Sequence, residues 1–234
     1  MTFSTYPRPV RDIHQIEFST RCNLKCKYCP HWPELPRKKE DMTRETLEAA
    51  LDLVRFYVRQ GTQTELSLSG IGEAMLHPDF LEYAALAREA IGPVRQLTIT
   101  TNGLLLDEQM AAAIAPLHPA VFVSLHRPEK AGLAVEVAKK YGILAGVNAS
   151  FATSSFDWAG AQKNWFVSAP KIPCEYLRSG WAVILVDGRV ATCWLDADGS
   201  STVGTVWDKP ETLLLKPWKS DKDVGCATCH MSIP

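Results

Sequence analysis

Three cysteines, Cys22, Cys26 and Cys29, stand within eight residues in the stretch STRCNLKCKYCPHW, in a chain of 234 residues that has seven cysteines. Thiols spaced by four and then three, directly after a β-rich run, form a metal-ligand pattern rather than a set of inert buried thiols. Structural zinc takes four protein ligands, usually as pairs two to four residues apart on separate knuckles. A 4Fe-4S cluster takes one thiolate per iron, so three cysteines leave one corner for an outside molecule. His31 would in principle complete a zinc site, but reads better as a surface or core histidine. Four more cysteines, Cys174, Cys193, Cys226 and Cys229, follow after a long gap. Four thiolates suit either zinc or a fully ligated cluster.

These groups need a scaffold. From Ile13 to about Ala169, β-rich runs alternate with helical patterns, the signature of βα units and a parallel sheet. Strands are expected at IHQIEFS, TELSLSG, RQLTITT, AVFVSLH, ILAGVNASF and NWFVSA. Helices are expected over Thr43–Gln60, Asp79–Ala90, Asp107–Ala115 and Pro128–Tyr141, with Asp79 as an N-cap. An eight-unit barrel takes about 250 residues and roughly 155 are at hand, so the expected fold is α/β, a partial (β/α)6 TIM-like barrel. One side of such a barrel is left unsealed, and something must cover it. After SAPKIPC the pattern changes. WAVILVDGRVATCWLD reads as a hairpin through Asp187-Gly188, GTVW as one more short strand, and ETLLLKPW as a helical turn. The domain division expected is 1–170 for the barrel and 171–234 for a small β-hairpin/helix unit carrying the four late cysteines. Polar residues at successive strand ends (Thr101 and Asn102 in TITTNG, Ser124 and His126 in VSLH) would face the barrel mouth.

The composition excludes some roles. Hydrophobic residues make up 46% of the chain and the net charge is −1, so no global field draws it to nucleic acid or an anionic membrane. A local groove would not show in that total, and nucleic acid is not excluded as a partner. The Arg37–Lys39 run, followed at once by Glu40 and Asp41, reads as a solvated approach to a helix. The first twenty residues lack an apolar signal core and no run approaches the roughly 18 apolar residues of a span, so a cytoplasmic protein is expected. Thiols clustered in that compartment point to metal or redox chemistry.

The C-x3-C-x2-C motif, with Tyr28 before its last cysteine, resembles the radical S-adenosylmethionine (SAM) family. The resemblance implies a 4Fe-4S cluster on Cys22, Cys26 and Cys29 whose open iron is chelated by SAM. Electron transfer then breaks the sulfonium bond to give a 5'-deoxyadenosyl radical that abstracts a substrate hydrogen atom. SGIGEAM is similar to the family's GGE-type motif, which implies that the backbone at Gly70 to Gly72 and the Glu73 carboxylate hold the methionyl ammonium. By the same resemblance Thr101 and Asn102 belong to the cofactor site, Ser124 to the ribose or SAM carboxylate, Asn148 to the ribose, and Tyr28 to the adenine. Many relatives carry an acidic residue where His126 stands. Its role stays open between SAM, substrate and packing, and it is the first catalytic candidate facing substrate.

The late layout, C-x18-C and then C-x2-C, resembles the shortened SPASM-type extension called a twitch domain, which implies an auxiliary 4Fe-4S cluster on Cys174, Cys193, Cys226 and Cys229. Zinc stays the alternative there. Family precedents include short enzymes that oxidise an aminocyclitol alcohol to a ketone, and sulfatase maturases. The expected activity is therefore dehydrogenation of a small or short modified substrate, with the auxiliary cluster as electron acceptor and a flavodoxin or ferredoxin as donor. With the first strand expected near Ile13 and five residues after the last cysteine, neither a leader-binding domain nor a longer SPASM segment is expected, and a small substrate is the expectation. Redox-neutral isomerisation of an amino-acid-like group, also on a modified nucleobase, and peptide crosslinking stay open. Arg127, Glu129, Asp157, Trp158 and Trp165 are further pocket candidates. A non-enzymatic zinc module is the competing class.

Overall fold

The computed structural model of the chain describes residues 7–26, 29–31, 37–148 and 174–217. Eight strands form one sheet. Five of them are the expected barrel strands: β2 (Asp12–Ile16), β3 (Glu65–Leu68), β4 (Gln96–Thr101), β5 (Ala120–Ser124) and β6 (Leu144–Asn148), paired in parallel in that order. The expected strand at NWFVSA lies outside the described residues.

Helices α1 (Arg44–Arg59), α2 (Phe80–Ile91), α3 (Glu108–Ile114) and α4 (Pro128–Lys140) connect these strands. Thr43 starts α1 by accepting a hydrogen bond from the Thr46 N–H, and Leu47, Ala50, Leu51 and Val54 then form the buried helical stripe. Asp107 caps α3 through Met110 N–H at 2.8 Å. Asp79 stands at the N-cap of α2 without a side-chain capping bond. His77 ties the turn before the helix, its Nδ1 accepting the Asp79 N–H at 3.0 Å. Leu66, Leu68, Leu97, Ile99, Val121 and Val123 are fully buried core residues. These residues alternate along β3, β4 and β5, so one face of the parallel sheet packs against the helices.

The unsealed side of the barrel is taken by the chain's own C-terminal part. After α5 (Glu175–Ser179), strand β7 (Trp181–Ile184) pairs in parallel with β2, and β8 (Arg189–Ala191) and β9 (Thr202–Thr205) continue the sheet in antiparallel fashion. The hairpin is the expected one, turning at Asp187 and Gly188, where Gly188 has φ 83°. The expected helical turn in ETLLLKPW is a 3-10 turn over Pro210–Thr212. It is followed by β10 (Leu214–Leu215), which pairs with β1 (Arg8–Pro9) as a separate two-stranded sheet. Among the described residues, no helix is long and apolar enough to cross a membrane.

Candidate active site

Strand ends and the loops after them converge on a cavity of about 280 Å³. Gln15 enters it from β2, Ser69 follows β3, Thr100 and Thr101 end β4, Ser124 ends β5 and Asn148 ends β6. Side chains at the carboxyl ends of barrel strands face the mouth by construction. The alternation along β4 shows why: Leu97 and Ile99 are core residues, while Thr100 lines the cavity.

Cys22, Cys26 and Cys29 all line this cavity. Their loop is held by a turn in which the Cys29 N–H donates to Cys26 O at 3.0 Å. Cys22 Sγ accepts from the Leu24 N–H at 3.5 Å and from Asn102 Nδ2 at 3.9 Å. Burial pushes the Cys29 thiol up to about 12, and the neighbouring Cys22 and Cys26 add to the rise. Cys22 is raised for the same first reason. Among the described residues, no three His, Cys, Asp or Glu side chains converge on a single metal ion. Three thiols that line one cavity suit a 4Fe-4S cluster, in which each sulfur meets a different iron.

Glu73 is buried beside these thiols. Its Oε1 accepts from Thr101 Oγ1 at 2.9 Å and from the Met75 N–H at 3.3 Å, and its Oε2 accepts from the Asn102 N–H at 2.7 Å. Burial raises its carboxyl despite these donors, and no cation among the described residues lies against it. One lone-pair site on Oε2 is left, so an incoming ammonium fits both the charge and the geometry. The preceding glycines permit close packing. A Cβ on Gly72 would lie 2.5 Å from Arg21 O, and one on Gly70 would lie 2.8 Å from Glu17 Oε1. The Glu73 N–H donates to Arg21 O at 2.7 Å, so the SGIGEAM loop sits directly on the start of the cysteine loop.

Arg37 is not solvated, in contrast to the reading of its charge run. Its guanidinium makes a bidentate pair with Glu17, at 2.7 and 3.0 Å, and Nε donates to Ala197 O at 3.0 Å. Burial alone would lower the guanidinium, but Glu17, Asp196 and Asp187 more than offset that and raise it. Lys38 is exposed as expected. The reason for the difference is the carboxylate at Glu17, twenty positions earlier, which no local charge pattern reveals. His31 is a core histidine, its Nε2 2.9 Å from Thr20 O.

Gly70, Gly72, Glu73, Thr101, Asn102, Ser124, His126 and Asn148 all line the one cavity. Thr101 and Asn102 use their polar groups on the protein itself: Thr101 Oγ1 holds Glu73, and Asn102 Nδ2 donates to Asn23 Oδ1 at 2.8 Å. Burial lowers the His126 imidazole, which is therefore neutral at neutral pH. Cys174 and Cys193 are among the described residues. Tyr28, Cys226 and Cys229, with Asp157, Trp158 and Trp165, lie outside the described residues. Sequence reasoning missed Gln15, Leu24 and Trp194, all in the cavity wall. Trp194 follows Cys193 directly, and that adjacency was the available signal. Nothing local marks which face of β2 carries Gln15.

Residues 16–144, more than half of the chain, match the family model described as the radical SAM superfamily. Molybdenum cofactor biosynthesis protein 1 of Bos taurus is 37% identical over 93 residues, 39% of this chain and 14% of that one. A probable GTP 3',8-cyclase of Methanocella arvoryzae is 36% identical over 107 residues, 45% of this chain and 31% of that one. The matches thus span less than a third of these curated relatives' lengths. Among solved structures, BtrN in complex with AdoMet and 2-DOIA has a TM-score of 0.70 at 20% identity, over 86% of this chain and 80% of that one. anSMEcpe with bound AdoMet and the Cp18Cys peptide has 0.60 at 16% identity, over 92% and 82%. At such identities the structural likeness speaks for the fold, a partial barrel. The sequence match, covering the cysteine loop and the four helices that join the barrel strands, speaks for descent: the chain belongs to the radical SAM superfamily.

Proposed function

We propose that this radical SAM enzyme removes two electrons from a small polar molecule, an alcohol or an amine, within the cavity at the barrel mouth. The observation that carries the reading is the wall position of Trp194, which sets the Cys193 segment beside the cavity lined by Cys22, Cys26 and Cys29. When bound, SAM and the first 4Fe-4S cluster supply the 5'-deoxyadenosyl radical, and an auxiliary 4Fe-4S cluster on Cys174, Cys193, Cys226 and Cys229 would supply the electron acceptor.

The chain's own residues bind and orient. The backbone of Gly70 to Gly72 and the free lone pair of Glu73 Oε2 receive the SAM ammonium. Ser124 and Asn148 face the ribose or carboxylate, and the adenine contact that the family resemblance assigns to Tyr28 lies outside the described residues. Gln15, Thr100 and the neutral His126 face substrate, where His126 is able to accept a proton from a substrate hydroxyl. Leu24, Ile71 and Trp194 make the wall apolar and limit water at the reacting centre. Among the described residues the lining has no Arg or Lys. A triphosphate such as GTP calls for such cations, so a neutral substrate is favoured over that of the cyclase relatives. The same reading takes residues 171–234 as an auxiliary-cluster unit sharing the barrel's sheet, a flavodoxin or ferredoxin as electron donor, and the cytoplasm as location.

The test is anaerobic reconstitution of wild type and a triple Cys22, Cys26, Cys29→Ala variant. Iron and zinc are counted, and 5'-deoxyadenosine is followed with SAM and reductant. Expected are about eight irons in wild type and about four in an inactive variant. About four irons plus zinc in wild type would remove the auxiliary acceptor and make redox-neutral rearrangement the reading. No 5'-deoxyadenosine from iron-loaded wild type would overturn the SAM site itself.

A further inference from the structure

We infer that the buried Glu17–Arg37 pair is a positioning device for SAM, setting the Gly70–Gly72 backbone against the cysteine loop and the Cys193 segment. The inference rests on the proposed SAM site. Glu17 lies just past β2 and five residues before Cys22, and is almost fully buried. Its carboxylate accepts four hydrogen bonds from three other parts of the chain. Two come from the Arg37 fork, one from the Ile71 N–H at 2.9 Å, and one from the Val186 N–H at 3.3 Å in the β7–β8 turn. Arg37 then passes the connection on, since its Nε reaches Ala197 O, four residues beyond Cys193.

The arrangement is specific in three ways. Ile71 lies between the two glycines, so the Glu17 oxygen fixes the peptide whose neighbours line the cavity. Gly70 has no side chain because the Glu17 carboxylate occupies that space. The Cys193 segment is itself rigid where Arg37 meets it: Asp196 accepts from the N–H groups of Gly199, Ser200 and Ser201 at 2.8, 3.1 and 2.7 Å. A planar bidentate fork holds a carboxylate in one orientation, which a single ammonium does not. Neither residue lines the cavity, so each acts through the backbone it holds.

The test uses the full chain with its clusters reconstituted, reduced, and titrated with SAM while the spin-resonance spectrum of the SAM-binding cluster is recorded. The double variant Glu17→Gln/Arg37→Met removes both charges of the pair together, and the glutamine NH2 confronts one of the two backbone N–H groups. Expected are wild-type iron content, an unchanged SAM-free spectrum, and a SAM dissociation constant raised about tenfold or more. Arg37→Lys keeps the charge but not the fork, and is expected to fall between wild type and the double variant. Leu47→Ala, in the core stripe of α1, is the destabilised control, with a lower melting temperature and wild-type SAM affinity. A double variant whose SAM titration superimposes on wild type would make the pair a brace only. If the double variant does not take up iron, Arg37→Lys decides, and wild-type SAM affinity there overturns the inference. A wild-type spectrum that does not respond to SAM would instead overturn the underlying site.

Discussion

The backbone N–H of Asn102 donates to Glu73 Oε2 at 2.7 Å, while the side chain of the same asparagine donates to Asn23 Oδ1 at 2.8 Å. The end of β4 thus holds the SGIGEAM loop with one group and the cysteine loop with another. Glu73→Gln breaks this arrangement, because an amide NH2 must then face Asn102 N–H or the Thr101 and Met75 donors. SAM affinity is expected to fall by about tenfold or more, with a melting temperature several degrees lower. A SAM titration superimposing on wild type would sink the ammonium role of Glu73.

Gly72→Ala tests the close approach of the two loops. The added Cβ meets backbone at Arg21 O, which cannot swing aside as a side chain would. The expected cost is about 1–3 kcal/mol, as for other overpacked sites, together with reduced iron loading of the cysteine loop. Urea midpoints and iron counts check it, and wild-type values for both would refute the packing argument.

Asp12 and His14 predict opposing pH effects on stability. Burial lifts the Asp12 carboxyl from 3.8 to about 6, although Thr64 donates to it through its N–H and its hydroxyl. The fold therefore holds a proton that the unfolded chain releases, and this contribution is present below about pH 4 and lost as pH rises through about 6. Burial lowers His14 from 6.5 to about 4, with its ring stacked 4.2 Å from Trp181 and edge-on to Tyr176. A neutral ring makes its 3.3 Å approach to Glu65 a dipolar contact rather than an ion pair. Its contribution is present above about 6.5 and lost as pH falls through about 4. Each effect is on the order of 3 kcal/mol over its full window, and in wild type they largely cancel. Asp12→Asn is expected to be less stable at pH 5 than at pH 7, and His14→Phe more stable at pH 5. Urea midpoints at the two pH values check both signs.

Trp194→Ala opens the cavity wall beside Cys193. In the absence of substrate, unproductive cleavage of SAM to 5'-deoxyadenosine is expected to rise roughly three- to tenfold as water gains access. Rates equal to wild type, measured by chromatography, would mean that another group seals that side.

The chemistry-bearing parts were legible in the sequence where their partners are near in the chain. The cysteines repeat within one loop, the Gly70–Glu73 motif follows a strand directly, and the β-rich runs of β2 to β6 alternate with helices whose stripes show at a period of 3.6. Asp79 was legible as an N-cap position and stands there, with no side-chain capping bond and its own N–H held by His77. Arg37 was misread because its partners are distant in the chain. Charge patterning weighs neighbours, and the groups that bury Arg37 are Glu17 and Ala197, twenty and 160 positions away.

What the sequence by itself determined is the order of the barrel elements, which follows from periodicity, and a metal-ligating cysteine loop whose family resemblance implies the class of chemistry. What only the tertiary structure decided is how those pieces meet. β7 docks on the open edge of β2, Trp194 closes the cavity, Gln15 faces into it, and a buried ion pair joins the loops. An open strand edge and a buried charge are each satisfied by whichever distant groups the fold delivers, and that delivery is not written in any local pattern.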